Sequence, residues 1–159
     1  HPKLVLKTCR AWMKKAPDGR AWIVRHALRS LVKDGNPEAL AILGFGDASQ
    51  LSAEFNASPR RLDLGDTAVL KLRLRNEGKA PKVAIDFRVH YQKAKGVGKP
   101  KVFKWTTADL KAGHPLELSK RLKFQHVSIR KLFAGTHKID VQVNGQVMAE
   151  TKVSLRIPD

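Results

Sequence analysis

The chain has 159 residues, enough for one ordinary domain or two small ones, and its 42% apolar share can supply a packed core. Thirty-one Lys and Arg against fourteen Asp and Glu leave a formal charge of +17 and a pI near 10.4, which points to nucleic acid, an anionic membrane surface or an acidic protein as partner. No apolar run approaches the ~18–20 residues of a spanning helix, the basic residues are spread over the whole chain, and the lone Cys9 excludes an internal disulfide and fits a reducing, cytoplasmic compartment.

No signal-peptide pattern opens the chain. With no initiator Met before His1 and a helical pattern starting almost at once, the sequence reads as a piece of a longer protein. From Leu4 to Ala16 the residues Val5, Leu6, Cys9, Trp12, Met13 and Ala16 share one arc of a helix, opposite Lys7, Arg10, Lys14 and Lys15. Pro17-Asp18-Gly19 interrupts it, and Asp18 is placed to cap the next helix. That second helix, Ala21–Lys33, is expected to bury Ile23, Val24, Ala27, Leu28, Leu31 and Val32. Its other face is Trp22, Arg25, His26, Arg29, Ser30 and Lys33, cationic or hydroxylic around one large aromatic ring. Asn36 is a natural N-cap and Pro37 a natural first residue for a short third helix through Leu43, before Gly44-Phe45-Gly46 stops helical structure.

Two amphipathic helices and a half-length third form the unit of an α-solenoid, whose repeats bury their apolar faces against neighbours. Residues 1–46 are too few to be stable alone. They are expected to be the end of such a solenoid, the alternative being a segment that simply packs on the strand-rich domain after it.

After Gly46 the period becomes two. Leu51, Ala53 and Phe55 alternate, with Pro59 at a strand end; Leu70, Leu72 and Leu74 lead to the turn Asn76-Glu77-Gly78. Ile85, Phe87, Val89 and Tyr91 alternate with Asp86, Arg88, His90 and Gln92, and a strand from Val102 to Trp105 comes after Gly96-Val97-Gly98. Leu116, Leu118, Leu122 and Phe124 continue the pattern with one skip. Ile139, Val141 and Val143 reach Asn144-Gly145, a strong hairpin signal, and Val147 to Ile157 makes the last strand. The fold class is therefore α then β: a short α-helical segment and then, over residues 50–159, an antiparallel seven-stranded immunoglobulin-like β-sandwich, with an eight-stranded barrel as the alternative.

Three groups are candidates for binding a polyanion. Trp22, Arg25, His26, Arg29 and Lys33 suit phosphate contact, with Trp able to stack; the plainer alternative is a Trp packed on a neighbouring repeat beside solvated cations. Lys93, Lys95, Lys99, Lys101 and Lys104 surround a Gly-rich tip that suits a mobile finger along a phosphate backbone, although such lysines also simply keep a loop soluble. Lys123, His126, Arg130 and Lys131 lie in a connection between two strands and either join that surface or face water. The six histidines are dispersed, no His or Cys pair has metal-ligand spacing, and no Ser-His-Asp grouping stands out, so no catalytic set, metal site or cofactor is expected.

Two stretches carry a resemblance. Gly19-Arg20-Ala21-Trp22-Ile23-Val24-Arg25-His26-Ala27-Leu28-Arg29, continuing through Lys33-Asp34-Gly35-Asn36-Pro37-Glu38-Ala39-Leu40 to Leu43-Gly44, resembles the last repeat of bacterial DNA alkylation repair glycosylases built from HEAT-like repeats. Val89-His90-Tyr91-Gln92-Lys93-Ala94, Lys99-Pro100-Lys101-Val102-Phe103-Lys104, Leu118-Ser119-Lys120-Arg121, Gly135-Thr136-His137 and Val143-Asn144-Gly145 are similar to the immunoglobulin-like domain of the alkylpurine glycosylase C type. The resemblance implies a parent enzyme that cleaves the N-glycosidic bond of a cationic alkylated base such as 3-methyladenine without drawing the base fully into a pocket, unlike base-flipping enzymes. It puts the catalytic carboxylates and rings in earlier HEAT-like repeats of the same parent chain. Arg25, His26 and Arg29 would hold double-stranded DNA rather than cut it, and the sandwich loops would wrap it. The competing readings are a scaffolding sandwich that binds an acidic protein, and an enzyme with its site between helices and sandwich.

Overall fold

A computed structural model describes residues 1–15, 17–78 and 82–158. Four helices come first: α1 (Pro2–Lys15), α2 (Pro17–Ala27), α3 (Arg29–Lys33) and α4 (Pro37–Ile42). Leu6 and Cys9 of α1, Val24 and Leu28 around the end of α2, and Ala39 of α4 form a small core, with Met13, Leu31, Val32, Ile42 and Leu43 packed on it. Asn36 caps α4 as its sequence suggests, its side-chain oxygen accepting the Ala39 N–H at 3.0 Å.

The helix expected over Ala21–Lys33 differs in three ways. It begins at Pro17, whose fixed φ suits a first helical position, and so takes in Asp18. It is irregular at Leu28, although the hydrogen bonds Leu28 N–H to Val24 and Val32 N–H to Leu28, both 2.9 Å, carry the ladder across. Its buried arc is also narrower: Val24 and Leu28 are fully buried against α1 and α4, whereas Ile23 and Ala27 are exposed. On α1, Val5 and Trp12 are likewise exposed, and Ala16 lies outside the described residues.

Among the described residues the remainder forms ten strands where seven were expected: β1 (Leu51–Ser58), β2 (Arg61–Asp63), β3 (Thr67–Asn76), β4 (Lys82–His90), β5 (Gln92–Lys93), β6 (Gly96–Val97), β7 (Lys101–Asp109), β8 (Leu116–Lys123), β9 (Gly135–Val143) and β10 (Gln146–Arg156). The three additions, β2, β5 and β6, are only two or three residues long, too short for a period of two to register. One sheet has the order β1-β3-β8, the other β2-β10-β9-β4-β7, and β5-β6 is a separate hairpin. β2 runs parallel to β10, so the pairing is not wholly antiparallel. The two larger sheets share no strand, which excludes the closed barrel. Between them lies the main core, including Leu70, Leu72 and Leu74 of β3, Ile85 and Val89 of β4, and Ile139, Val141 and Val143 of β9. The skip in β8 has a physical sense: Lys120 pairs with buried Leu70 at a position due an apolar residue, and on an edge strand its charge reaches water and discourages further pairing.

The helices dock on the β9–β10 hairpin. Asn144 (φ 48) and Gly145 (φ 78) make its turn, both in the left-handed region that a two-residue hairpin of this hand requires. Asn144 also reaches sideways: its side-chain oxygen accepts the Ala84 N–H at 2.7 Å, and its amide donates to the carbonyls of Gly46 at 2.6 Å and Lys82 at 3.3 Å. Gly35 lies backbone to backbone against Gly145, so close that a Cβ on Gly145 would sit 2.4 Å from the Gly35 Cα.

Candidate nucleic-acid interface

Every polar residue on the expected cationic face of α2 and α3 is exposed. Trp22 is 68% exposed and its ring stacks on His26, with centroids 5.3 Å apart and planes 20° from parallel. Trp22 therefore does not serve as a core residue within this chain. Lys33 lies near enough to act on the charge of Asp86, on the outer face of β4, without an ion pair to it, and Lys104 of β7 faces Asp86 across the register. Burial pushes the Asp86 carboxyl up, and Lys104 and Lys33 both act against that rise.

The Gly-rich finger is a paired hairpin, not an open loop. β5 and β6 pair through Gln92–Val97 and Lys93–Gly96, with Gly96 at φ 79. Gly98 donates its N–H to the Tyr91 carbonyl at 3.3 Å, and the aliphatic stem of Lys93 lies across Gly98. Lys93, Lys95, Lys99 and Lys101 are all exposed, and Lys104 stands on β7 outside the finger.

The third group splits by role. Lys123 ends β8 and Lys131 is exposed, its ammonium 5.9 Å from the Phe133 ring centre. His126 and Arg130 brace a tight turn instead. Val127 and Arg130 exchange two backbone hydrogen bonds at 2.9 and 3.0 Å, the His126 Nδ1 accepts the Leu132 N–H at 3.0 Å, and the Arg130 guanidinium lies 4.2 Å over the Tyr91 ring. Tyr91 thus supports both the 92–101 and the 127–130 turns, so two of the three groups meet at one end of the sandwich. The seven steps of strand from Ala84, at the Asn144 latch, to Tyr91 put that end about 23 Å from the helical junction. Lys104 falls between the two.

Ion pairing separates this surface from the other cations. Arg10, Arg73, Arg75, Arg88, Lys138 and Arg156 each have a carboxylate partner within 4 Å. Among the described residues no ion pair involves Arg25, Arg29, Lys33, Lys93, Lys95, Lys99, Lys101, Lys104, Lys123, Arg130 or Lys131. None of these charges is neutralised by a carboxylate within 4 Å, although Lys33 and Lys104 both act on Asp86 and Arg130 lies against Tyr91.

Sequence reasoning missed one cluster. Asp140 of β9 is 1% exposed on the outward side of the five-stranded sheet, held bidentately by Arg88 at 2.6 and 2.9 Å and by His90 at 2.7 Å. Burial works to raise its pKa, but the hydrogen bonds from Arg88 and His90 prevail and hold the carboxyl below its usual range. Alternation in β4 placed Arg88 and His90 on one face; only strand pairing brings Asp140 opposite Arg88. Among the described residues no cluster of three or more His, Cys, Asp or Glu could hold a metal, and no helix is long and apolar enough to cross a membrane.

Residues 51–157 match the family described as uncharacterised protein YhaZ, C-terminal Ig-like domain. Uncharacterized protein YhaZ of Bacillus subtilis (strain 168) is 28% identical over 148 residues, which cover 92% of this chain and 41% of the relative. The structure of Pseudomonas fluorescens alkylpurine DNA glycosylase AlkC, bound to DNA containing an abasic site analog, is similar with a TM-score of 0.91 and 32% identity, over 98% of this chain and 44% of that one. A β-glucosidase from Listeria innocua in complex with gluconolactone matches with a TM-score of 0.54 and 19% identity, over 70% of this chain and 17% of that one, a likeness of fold alone. The chain thus spans less than half the length of the first two relatives. The match over its strand-rich part shows that the chain belongs to the family of the YhaZ C-terminal Ig-like domain.

Proposed function

We propose that this chain is the DNA-holding C-terminal part of a DNA alkylation repair glycosylase, and that it grips duplex phosphates without itself cutting the glycosidic bond. The observation that carries the reading is the set of unpaired cations running from Arg25, Arg29 and Lys33, past Lys104, to the lysines of the 92–101 hairpin. Phosphate oxygens are the polyanion such a row suits, and Trp22 and His26 add a stacked aromatic pair beside it. The likeness to a DNA-bound alkylpurine glycosylase supports the same assignment and suggests alkylated duplex as the substrate of the parent protein. Leu4, Val5, Trp12 and Ile23, exposed on α1 and α2, are assigned to contact with preceding HEAT-like repeats.

Titration of a fluorescent duplex at two ionic strengths tests the proposal. Each phosphate neutralised should contribute a slope of about −0.9 to log K against log salt. Arg25→Glu with Arg29→Glu should weaken binding and flatten that slope; unchanged affinity would move the site to the sandwich, and no duplex binding at low salt would sink the reading. The same exposed apolar residues on α1 and α2 are what a scaffold for an acidic protein would need, and pull-down with and without nuclease separates that reading from this one.

A further inference from the structure

The Arg88–Asp140–His90 cluster lies between the helical junction and the basic hairpin, and the holding of DNA described above makes no use of it. Along β4 the residues Asp86, Arg88 and His90 face outward, alternating with buried Ile85, Phe87 and Val89. Lys104 faces Asp86 from β7, and the 92–101 hairpin begins two residues beyond His90. A run of phosphates from Lys33 and Lys104 to the hairpin lysines therefore crosses Arg88 and His90, over about 13 Å of strand. Both side chains are partly exposed, at 23% and 17%, above an Asp140 that is 1% exposed.

Asp140 fixes what each partner shows to solvent. It accepts from Nε and Nη2 of Arg88 at 2.6 and 2.9 Å, which leaves Nη1 with no partner among the described residues. It also binds Nε2 of His90 at 2.7 Å. The hydrogen bonds from Arg88 and His90 hold the Asp140 carboxyl below its usual range, so near neutral pH it can only accept and Nε2 carries the hydrogen. The other ring nitrogen, Nδ1, has no partner among the described residues and is not enclosed. In neutral His90 it is a bare lone pair, which repels a phosphate oxygen. A second proton turns Nδ1 into a charged donor while Nε2–H stays on Asp140.

We propose that His90 is a proton-dependent phosphate contact: when protonated it donates from Nδ1 to a phosphodiester oxygen of duplex DNA beside Arg88, with Asp140 as the positioning residue. The chain then holds DNA more tightly as pH falls. This rests on the DNA-holding reading above and adds a regulation to it. Asp140 attracts the added proton, whereas Arg88 on the same strand and Lys138, opposite His90 on β9, repel it. Lys138 is itself paired with Glu150 of β10 at 3.4 Å and has Lys152 opposite it in the register. From β7 the uncharged Val102 stands opposite Arg88, with Lys101 one residue away. A phosphate adds a second anion to this balance, so binding takes up a proton wherever the ring was neutral.

The test titrates a fluorescent duplex at fixed ionic strength between about pH 5 and 8, the span in which histidine changes charge. Affinity is expected to rise as pH falls, by at most about tenfold per unit for one proton taken up. His90→Gln keeps a donor for Asp140 but cannot take the proton, and should bind at the wild type's high-pH level throughout. Asp140→Asn, whose amide can donate to Nε2, lets the neutral ring carry its hydrogen on Nδ1 and should shrink the slope; an unchanged slope overturns the positioning role. Asp86, whose carboxyl burial pushes up, loses charge on the same face, and His26 titrates on the helical face, so Asp86→Asn and His26→Gln are the controls and should each keep the slope. Ring nitrogen shifts of His90 in the wild-type chain near neutral pH read the same event without any variant: added duplex should move Nδ1 from the unprotonated to the protonated position. A pH-independent affinity, a slope that survives His90→Gln or vanishes in either control, or an Nδ1 unmoved by duplex overturns the proton-dependent contact and leaves the DNA-holding reading standing. Failure of wild type to bind duplex at low salt overturns both.

Discussion

Asn144 should be the residue whose loss most damages the join between helices and sandwich. Its side chain makes three hydrogen bonds, to Ala84 N–H at 2.7 Å, Gly46 O at 2.6 Å and Lys82 O at 3.3 Å, from a site only 7% exposed. Asn144→Ala leaves the buried Ala84 N–H without that acceptor, which costs about 1–3 kcal/mol, and removes the bond to Gly46, worth about 0.5–1.5 kcal/mol. Alanine must also hold φ 48, at about 1–2 kcal/mol more. The sum is about 3–6 kcal/mol, a large part of the ~5–15 kcal/mol that holds an ordinary domain together. Asn144→Gly loses the same hydrogen bonds but not the left-handed preference, so it should be about 1–2 kcal/mol milder. Urea unfolding monitored by circular dichroism at constant m-value gives both numbers. Hydrogen exchange of the α1–α4 amides then reports whether the helices loosen before the sheets do. An alanine variant within about 1 kcal/mol of wild type would refute the latch, since a single exposed hydrogen bond would account for so little. Equal loss in the alanine and glycine variants would refute the part assigned to φ.

Two further outcomes concern buried titrating groups. His137 is fully buried, with its Nδ1 accepting the Gln92 N–H at 3.2 Å and its Nε2 3.0 Å from the Phe133 carbonyl; burial holds its pKa below the usual value, against the opposing pull of that carbonyl. The unfolded chain therefore binds more protons, and the stability His137 contributes is complete above about pH 6.5 and falls as pH drops toward the folded pKa, by at most about 1.4 kcal/mol per pH unit; urea titrations at several pH values should show a slope that His137→Gln reduces, and an unchanged slope would contradict the assignment. Asp140, whose pKa is lowered, contributes stability that is present above the ordinary carboxyl pKa of 3.8 and lost as pH falls below it. Asp140→Ala strands Arg88 and His90 beside the emptied site and should cost about 3–5 kcal/mol near neutral pH, measurable by the same unfolding assay, with the cost shrinking in acid.

Residues that announce themselves locally were legible in advance. Asn36-Pro37 at the start of α4, Asn144-Gly145 in its hairpin, and the alternating Leu70, Leu72 and Leu74 all took their expected places, because capping, turn formation and pleat alternation depend on neighbours a few positions away. Short strands such as β2 and β5 were not legible, since two or three residues hold no period and their pairing depends on partners far along the chain. The irregularity at Leu28 and the exposure of Ile23 were hidden for a related reason: a wheel shows which side of a helix is apolar, not how much of it neighbouring elements will cover.

The candidate site divides in the same way. Its charge and its Trp22, Arg25, His26, Arg29 and Lys33 face were determined by the sequence alone, because excess charge and helical spacing are additive properties of residues in order. Tertiary structure decided which cations have carboxylate partners and which do not, since Arg88 meets Asp140 only when β4 pairs with β9, whereas Lys33 and Lys104 act on Asp86 without an ion pair. It also decided that Tyr91 carries two basic turns at once, a contact between segments about forty residues apart that no local pattern encodes. Composition supplies the sign of a surface, whereas long-range pairing places its charges, because ion pairs form between neighbours in space.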